Sequence, residues 1–332
     1  MKIELQNKNF IFTILIVFFL SLVTLVFFGY GVDDYGYLYY WNKTYPLYEY
    51  ILSDKKIEQR AIEVTYSYLF SFFKLFTDDF EVFKFFNTLI TLSIMSYAYY
   101  KVSKKYYLYM LIYTSIYLFI DFNIDQFRNA LAASFGLLAI VQLSKKETYY
   151  SYFNFILAVL IHNSMSWLAV IYLSKNTRYN KVTLIFLVFL IFIPNKVNLL
   201  IDFLDNNFFD TIGLSHLFGK IQFYALESHT SQFSELLFSF FIGKTILIYA
   251  LGYLVKMDKT YLYTYLYATL FYYLLIDFNT FGARIVREAL VLEPIFLYFL
   301  LKNNLRYILV IPFMLAYNIF SKNLPLIDRM IN

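Results

Sequence analysis

The stretch that decides the fold is FIFTILIVFFLSLVTLVFF, residues 10–28, an almost unbroken apolar run of 19 residues near the start of the chain. A helix of about 20 residues crosses the hydrocarbon core of a bilayer, so this run is long enough to span it. No small-x-small cleavage pattern follows the run, as a signal peptide would require. We therefore predict a retained first membrane helix.

The rest of the chain has the same apolar character. Of the 332 residues, 60% are hydrophobic and 15% are charged, and the mean hydropathy is +0.57. A water-soluble domain of this length would not carry that composition. Phe and Tyr number 39 and 35 against 9 glycines, which favours helices over a barrel of short alternating strands. The predicted fold class is an all-α, polytopic integral membrane helix bundle of about 10–12 membrane segments, some short or re-entrant.

The charge pattern predicts how the chain is oriented. The absence of cysteine excludes a disulfide framework and a thiol nucleophile. The net charge is only +5, and half of the 28 basic residues lie at the N-terminus or in short connections, which suits membrane orientation rather than nucleic-acid binding. We predict a cytoplasmic N-terminus, with basic inner connections near residues 101–105, 145–146, 175–181, 256–259 and 302–306.

We predict a single transmembrane domain over residues 1–332, with two long outer segments. Residues 31–79 form an outer loop and a re-entrant or interfacial helix. Residues 195–231 form a large periplasmic loop whose aromatic and acidic residues suit either an interfacial amphipathic helix or contacts with carbohydrate. The run 149–173 has basic flanks at both ends, so we predict that it enters the membrane and returns, bending near His162. Such irregular backbone is tolerated only beside protein or a wet cavity and points to a site.

A nine-residue motif occurs twice. Residues 120–128 read IDFNIDQFR and residues 276–284 read IDFNTFGAR, and each copy places an arginine, Arg128 or Arg284, seven positions after its aspartate. Under the predicted topology both copies lie at the outer face, where the arginines and nearby Arg287 converge on one vestibule. Guanidinium forks suit the oxygens of a pyrophosphate.

The arginines have a second interpretation. An interfacial arginine at position 128 can snorkel to lipid headgroups or pair with Asp121 or Asp125. The second copy of the motif, with Asp277 where the first has Asp121, weighs against this interpretation. The mostly small residues after Arg128 leave room for close helix packing or for a bulky ligand.

His162, Asn163 and Ser164 interrupt an apolar run. The histidine either accepts a proton from a sugar hydroxyl, donates one to phosphate, or is a structural residue that bonds a carbonyl at a helix break. No second histidine or carboxylate stands at metal-ligand spacing from it, so we predict no metal site.

Three more charged residues are candidates. Asp33 and Asp34 follow the first helix, and since adjacent side chains diverge, at most one of them enters a site; the alternative is a solvated cap. Glu63, with Tyr66 one turn later, lies on the predicted re-entrant stretch, where an unpaired carboxylate would be costly to bury. Lys244 lies within the apolar run 233–255 and needs a partner or water, either for function or for a structural pairing.

These motifs, taken in order, resemble a known family. Asp33-Asp34-Tyr35, Glu63 to Tyr66, Arg128 with its alanine-rich helix, and His162-Asn163-Ser164 are similar to the EpsG-like branch of the Wzy-type polymerases, which polymerise O-antigen or exopolysaccharide repeat units. The resemblance covers residues 1–175 and continues more weakly through residues 281–287. This chain reads Glu63-Val64-Thr65-Tyr66 where the family usually has Glu-Pro-Gly-Tyr.

The resemblance implies a GT-C-like membrane glycosyltransferase at the periplasmic face of the bacterial inner membrane. It implies a growing glycan on undecaprenyl pyrophosphate as donor and a hydroxyl of the next lipid-linked repeat unit as acceptor, with no cofactor and with a chain-length regulator protein as a further partner. With the residues above, it predicts His162, Arg128, Asp34 and Glu63 as catalytic groups. The predicted substrate-binding residues are Arg284, Arg287, Asp121, Asp277, Tyr66, Asn163, Ser164 and Lys244.

Two other classes of function remain open. One is a flippase or transporter for lipid-linked glycan, which would be expected to repeat over whole halves of the chain rather than over nine residues. The other is a different membrane transferase, either an acyltransferase or a ligase that moves glycan to another acceptor.

Overall fold

The computed structural model describes residues 2–31, 33–52, 63–115, 118–174, 185, 244–274, 285 and 287–303. Within these ranges the regular structure is helical, with one π-helical and one 3-10 segment and no strand. This confirms the all-α prediction. The second IDFN copy and the predicted loop 195–231 lie outside the described residues.

The chain divides into two compact units, Met1–Met165 together with Val291–Asn332, and Ser166–Leu290. The described helices of the first unit are α1 (Lys2–Val26), α2 (Asp34–Lys43), α3 (Leu47–Leu52), α4 (Val64–Phe73), α5 (Phe80–Val102), α6 (Tyr106–Ser115), α7 (Phe127–Ser144), α8 (Thr148–Ile161) and, after the second unit, α12 (Glu293–Asn303). The described helices of the second unit are α9 (Ala169–Ser174), α10 (Lys244–Leu254) and α11 (Lys259–Leu274).

Two of the described helices are long and apolar enough to cross a bilayer, by length and composition. They are Lys8–Val26 within α1, with a mean hydropathy of 2.6, and α7, with a mean hydropathy of 1.3. α8 and α10 are apolar but shorter. The apolar first helix is thus confirmed, and it exposes large side chains such as Phe10 and Phe19, as a helix facing lipid would. The total of 10–12 segments stays a prediction.

α7 is the central helix of the first unit and packs against α5 and α8. Its small residues Ala130, Ala132, Ala133 and Gly136 are buried. Polar side chains join α7 to α8: Ser151 Oγ donates to the carbonyl of Ala139 at 2.8 Å, and Asn154 Nδ2 donates to Gln142 Oε1 at 2.8 Å.

α4 lies on an aromatic cluster. The Trp41 ring contacts Phe70 and Phe83 with centroid distances of 5.5 and 5.1 Å, and its Nε1 donates to the carbonyl of Asp78 at 3.0 Å. With ten residues, α4 is about 15 Å long, half of the hydrocarbon thickness. The re-entrant or interfacial location of a helix within residues 31–79 stays a prediction.

Two irregular segments flank the α7–α8 pair, one before α7 and one after α8. Residues Ile120–Asp125 form a buried π-helical turn rather than a solvated loop, and Gln126 separates this turn from α7. α8 ends at Ile161, because His162 is extended with φ −147° and ψ 114°, and a 3-10 segment follows over Asn163–Leu168. The predicted break at His162 is confirmed, and the first IDFN copy does connect two helices.

Candidate active site

Glu63 stands at the N-terminus of α4. Its backbone is extended, with φ −61° and ψ 140°, and the helix begins at the next residue, Val64. Proline is favoured at the first position of a helix because it lacks the backbone N–H that would be unsatisfied there. Val64 occupies that position here, and the helix still starts directly after Glu63. Replacing the family's Pro-Gly by Val-Thr therefore leaves Glu63 at a helix start.

Glu63 forms a buried ion pair with Arg128. The Nη1 group of Arg128, on the second residue of α7, donates to Oε2 of Glu63, and the two side chains are 10% and 8% exposed. The guanidinium also lies over the ring of Tyr37, with 5.5 Å between Cζ and the ring centroid, a cation–π geometry. The carboxylate that Arg128 contacts thus comes from 65 positions earlier in the chain, not from the local Asp121 or Asp125.

His162 joins the same cluster from the end of α8. Its Nδ1 lies 3.6 Å from Oε1 of Glu63, and the backbone N–H of Asn163 donates to the same oxygen at 3.4 Å. Ser164 contacts the same ring nitrogen of His162. Its Oγ lies 2.9 Å from Nδ1, and its backbone N–H donates to Nδ1 at 3.3 Å. We call Glu63, Arg128, His162 and Ser164 the central cluster.

A second buried ion pair lies in the same unit. Lys84 Nζ donates to Asp34 Oδ1 at 2.6 Å and to the carbonyl of Ile124, in the π-helical turn, at 3.2 Å. The other oxygen of Asp34 accepts the backbone N–H groups of Gly29 at 2.9 Å and Gly31 at 3.2 Å. Asp34 is 1% exposed while Asp33 is half-buried, so the two adjacent aspartates do diverge.

The turn that holds Asp34 requires glycine twice. Gly29 has φ +84°, a left-handed backbone conformation that side-chain-bearing residues rarely adopt. A Cβ atom on Gly31 would lie 2.3 Å from the carbonyl oxygen of Ile124. The end of α1 therefore packs directly on the π-helical turn that precedes Arg128.

Tyr66 and Asn87 connect three helices next to the cluster. The Tyr66 hydroxyl donates to Asn87 Oδ1 at 3.2 Å, and Asn87 Nδ2 donates to the carbonyl of Phe127 at 3.1 Å. Both side chains are buried, and the Tyr37 ring packs on Phe127 with a centroid distance of 4.5 Å. These contacts fix the first turn of α7, and with it Arg128, against α4 and α5.

Comparison with known proteins identifies the family. The model of the EpsG family matches residues 9–328, nearly the whole chain. The chain belongs to the EpsG family. No significant match was found among curated proteins or among solved structures. EpsG is a Wzy-like polymerase family, so this chain is a membrane protein of the polysaccharide-polymerase type.

The sequence analysis missed three residues of this candidate site. Lys84 and Asn87 interrupt the apolar run that begins at Phe80, and the rule that selected Lys244 as a costly intramembrane charge would have selected Lys84 too. Tyr37 carried no signal, because it is one of 35 tyrosines in the chain.

The other predicted site residues belong to the π-helical turn, to the second unit or to residues outside the described ranges. Asp121 is buried in the π-helical turn at 1% exposure. In the second unit, Lys244 is fully buried at the start of α10, and Arg287 is half-buried. Arg284 and Asp277 lie outside the described residues. Convergence of the arginines on one vestibule stays a prediction.

The central cluster combines three chemical capabilities. Arg128 supplies a permanent positive charge in a site largely removed from water, where electrostatic interactions are stronger than in bulk solvent. His162 can accept or donate a proton, and Glu63 contacts both groups through different oxygens. Such an arrangement can bind an anion and move a proton nearby.

Proposed function

We propose that this EpsG-family protein is a glycosyltransferase that polymerises lipid-linked repeat units at the periplasmic face of the bacterial inner membrane. The donor is a growing glycan on undecaprenyl pyrophosphate, and the acceptor is a hydroxyl of the next lipid-linked repeat unit. The enzyme is a GT-C-like bundle of 10–12 membrane segments. The observation that carries the proposal is the contact of Glu63 with both Arg128 and His162, residues that lie 65 and 99 positions later in the chain.

In the proposed reaction, the acceptor oxygen attacks the anomeric carbon of the donor sugar. The bond between that carbon and the pyrophosphate oxygen breaks, and undecaprenyl pyrophosphate leaves with the bonding electrons. Negative charge grows on the leaving group in the transition state, and a preorganised guanidinium directed at it lowers the barrier. Arg128 takes this role, with Arg284 and Arg287 as the predicted further cations.

The acceptor hydroxyl must lose its proton as the new bond forms. We assign this proton to Nε2 of His162, because the Nδ1 side of the ring contacts Glu63 and Ser164. Asp34 is not assigned a reacting role, since its oxygens bind Lys84 and two backbone N–H groups. Its predicted catalytic function is therefore replaced by a structural one in this proposal.

Replacement of Arg128 tests the pyrophosphate role. Arg128→Ala should abolish long-chain polysaccharide, measured as the glycan ladder of a deletion strain that carries the variant. Arg128→Lys keeps a charge beside Glu63 but lacks the planar fork, so it should fold to wild-type level and still lose most of the long chains. Lys101→Met, which removes a cation paired with Glu147, is the matched control and should keep the ladder. A normal ladder in Arg128→Ala would exclude Arg128 from the reaction.

Replacement of His162 tests the proton role. His162→Gln keeps a hydrogen-bonding side chain of similar length but cannot take up a proton, so the ladder should collapse to single repeat units while the protein level is unchanged. If His162→Gln gives the wild-type ladder, His162 has only a structural role at the helix break.

The deletion strain itself separates the classes of function. Loss of the ladder with retention of a single repeat unit on the surface indicates a polymerase. Loss of all surface glycan indicates a flippase or a ligase instead.

A further inference from the structure

Arg128 has hydrogen-bonding capacity that its contacts leave unused. Among the residues that the structure describes, its Nε has no hydrogen-bond partner, although the residue is only 8% exposed. A buried N–H of a charged group without an acceptor is unfavourable by an amount comparable to a lost charged hydrogen bond. The guanidinium is therefore arranged to accept another anionic oxygen in addition to, or in place of, that of Glu63.

The backbone contact of Ser164 favours one tautomer of His162. A backbone N–H can only donate, so the contact from Ser164 N–H to Nδ1 requires a lone pair on Nδ1. In a neutral imidazole the proton is then on Nε2, which makes Nε2 a donor rather than a proton acceptor. A histidine in this tautomer cannot take the proton of a sugar hydroxyl.

Glu63 is placed to reverse that tautomer. Its Oε1 lies 3.6 Å from Nδ1, within about 1 Å of the N···O distance of a charge-assisted hydrogen bond. A carboxylate that closes this gap requires a proton on Nδ1, because it can only accept. Nε2 then carries the lone pair and becomes a base. The contact with Arg128, through Oε2, is what holds Glu63 at its present position.

We infer that Glu63 is a positioning residue that Arg128 and His162 share in turn, and that a pyrophosphate bound at Arg128 releases Glu63 to His162 and so converts His162 into a base. The inference rests on the proposed function and adds the order of events at its site. A diphosphate carries more negative charge than one carboxylate and offers paired oxygens to the guanidinium fork, so it competes effectively for Arg128.

This arrangement couples donor binding to proton abstraction. Without a donor, Glu63 neutralises Arg128 and His162 cannot activate the acceptor hydroxyl or a stray water. With the donor bound, the leaving group is stabilised and the base forms in the same step. Coupling of two equilibria is reciprocal, so a variant that holds His162 in the base tautomer should also bind pyrophosphate more tightly.

The test uses the purified full-length protein in lipid nanodiscs, with inorganic pyrophosphate as the probe. The chain has three histidines, so ¹⁵N-histidine labelling gives few signals, and the His162→Gln spectrum identifies that of His162. We expect the Nε2–H tautomer without pyrophosphate and the Nδ1–H tautomer at saturation. Pyrophosphate affinity is measured by calorimetry on the same samples.

The variants separate the steps. Glu63→Gln removes the competing charge, so it should bind pyrophosphate about tenfold more tightly while His162 no longer changes tautomer on binding. Ser164→Ala removes the hydroxyl but keeps the backbone donor, and should shift the tautomer ratio only in part. Glu81→Gln, which alters an exposed carboxylate in the same unit, is the control and should change neither measurement.

Each outcome decides the inference. Pyrophosphate binding that depends on Arg128 but leaves the His162 tautomer unchanged overturns it and leaves the proposed function standing. Weaker pyrophosphate binding in Glu63→Gln, with an unfolding temperature equal to that of the wild type, also overturns it. Absence of binding to the wild type overturns both the inference and the pyrophosphate role of Arg128, and the glycan ladder of Arg128→Ala then decides whether the proposed function fails as well.

Discussion

The first unit contains two buried ion pairs that differ in how completely they are bonded. In the Asp34–Lys84 pair, Oδ1 of Asp34 accepts from the ammonium group and Oδ2 accepts two backbone N–H groups. The ammonium group also donates to a backbone carbonyl, and the side chains of Asp34 and Lys84 are 1% and 0% exposed. In the Glu63–Arg128 pair, the second carboxylate oxygen lies near His162 and Asn163, and the guanidinium Nε has no partner among the described residues. The first pair is saturated, and the second retains capacity for a ligand.

This difference predicts a different role for each pair. A buried charge that loses its partner is strongly unfavourable, so a saturated pair resists any change in its surroundings. The Asp34–Lys84 pair is therefore suited to a structural role, in which it fixes the end of α1 against the π-helical turn. An unsaturated pair can exchange partners at lower free-energy cost, which is what a binding site requires.

The largest effect should come from breaking the saturated pair. Lys84→Met leaves the Asp34 carboxylate buried without its cation and should lower the free energy of unfolding by about 3–5 kcal/mol. Thermal unfolding in detergent measures the loss. The double variant Asp34→Asn with Lys84→Met removes the uncompensated charge and should recover part of it. A Lys84→Met protein as stable as the wild type would remove the distinction between the two pairs.

Gly31→Ala should have the next largest effect. The new Cβ would meet the Ile124 carbonyl at 2.3 Å, so the backbone must shift, at a cost of about 1–3 kcal/mol. Because that shift moves the π-helical turn before Arg128, the glycan ladder should shorten as well. Gly36→Ala is the control, since nothing lies within 4 Å of its Cβ and its helical position favours alanine. Equal unfolding temperatures for the two variants would contradict the close packing at Gly31.

Tyr66→Phe should have a smaller effect. It removes the hydroxyl that donates to Asn87 and leaves a buried amide oxygen without that bond, a loss of about 1–2 kcal/mol. The aromatic contacts of the ring with Phe70 and Phe83 stay in place. Tyr68→Phe, at a 48% exposed position of the same helix, should leave the unfolding temperature unchanged. An equal loss in both variants would place the effect outside the Asn87 bond.

The smallest effect is expected from an ion pair in contact with solvent. Lys101 and Glu147 lie 2.7 Å apart with side chains 18% and 34% exposed. Water screens such a pair, so Lys101→Met should change the free energy of unfolding by about 0.2–1 kcal/mol. Comparison of Lys101→Met with Lys84→Met shows how much burial adds to the contribution of an ion pair to the free energy of unfolding. A loss in Lys101→Met as large as that in Lys84→Met would show that burial does not set the order.

The sequence pattern predicted those features of the fold that depend on residues close together in the chain. The apolar run 10–28, the short helix after Glu63 and the break at His162 follow from run length and from polar residues within apolar segments. The partner of Arg128 was beyond such reasoning. The nearby aspartates were the obvious candidates in sequence, yet the ion pair forms with Glu63, 65 positions away, because tertiary packing brings α4 and α7 together.

Residue spacing also did not reveal the tertiary partner of Asp34, which the sequence analysis predicted to be catalytic. An aspartate after the first helix can serve a site or a structure, and the structural role proposed here rests on its pairing with Lys84, 50 positions later. Lys84 itself could have been noticed as a charge within an apolar run. Its pairing with Asp34 rather than with Asp125 or a ligand depends on how the end of α1 packs beside α5, which residue spacing does not reveal.

The contact between Glu63 and the backbone of Asn163 spans 100 positions of the chain. Contacts between residues so distant in sequence form late, because a long intervening segment must first be ordered. During synthesis, therefore, the ribosome must have delivered eight helices of the first unit before the cluster can assemble. A nascent polypeptide that stops short of His162 holds Glu63 and Arg128 but no imidazole, so partial translation products lack the complete cluster.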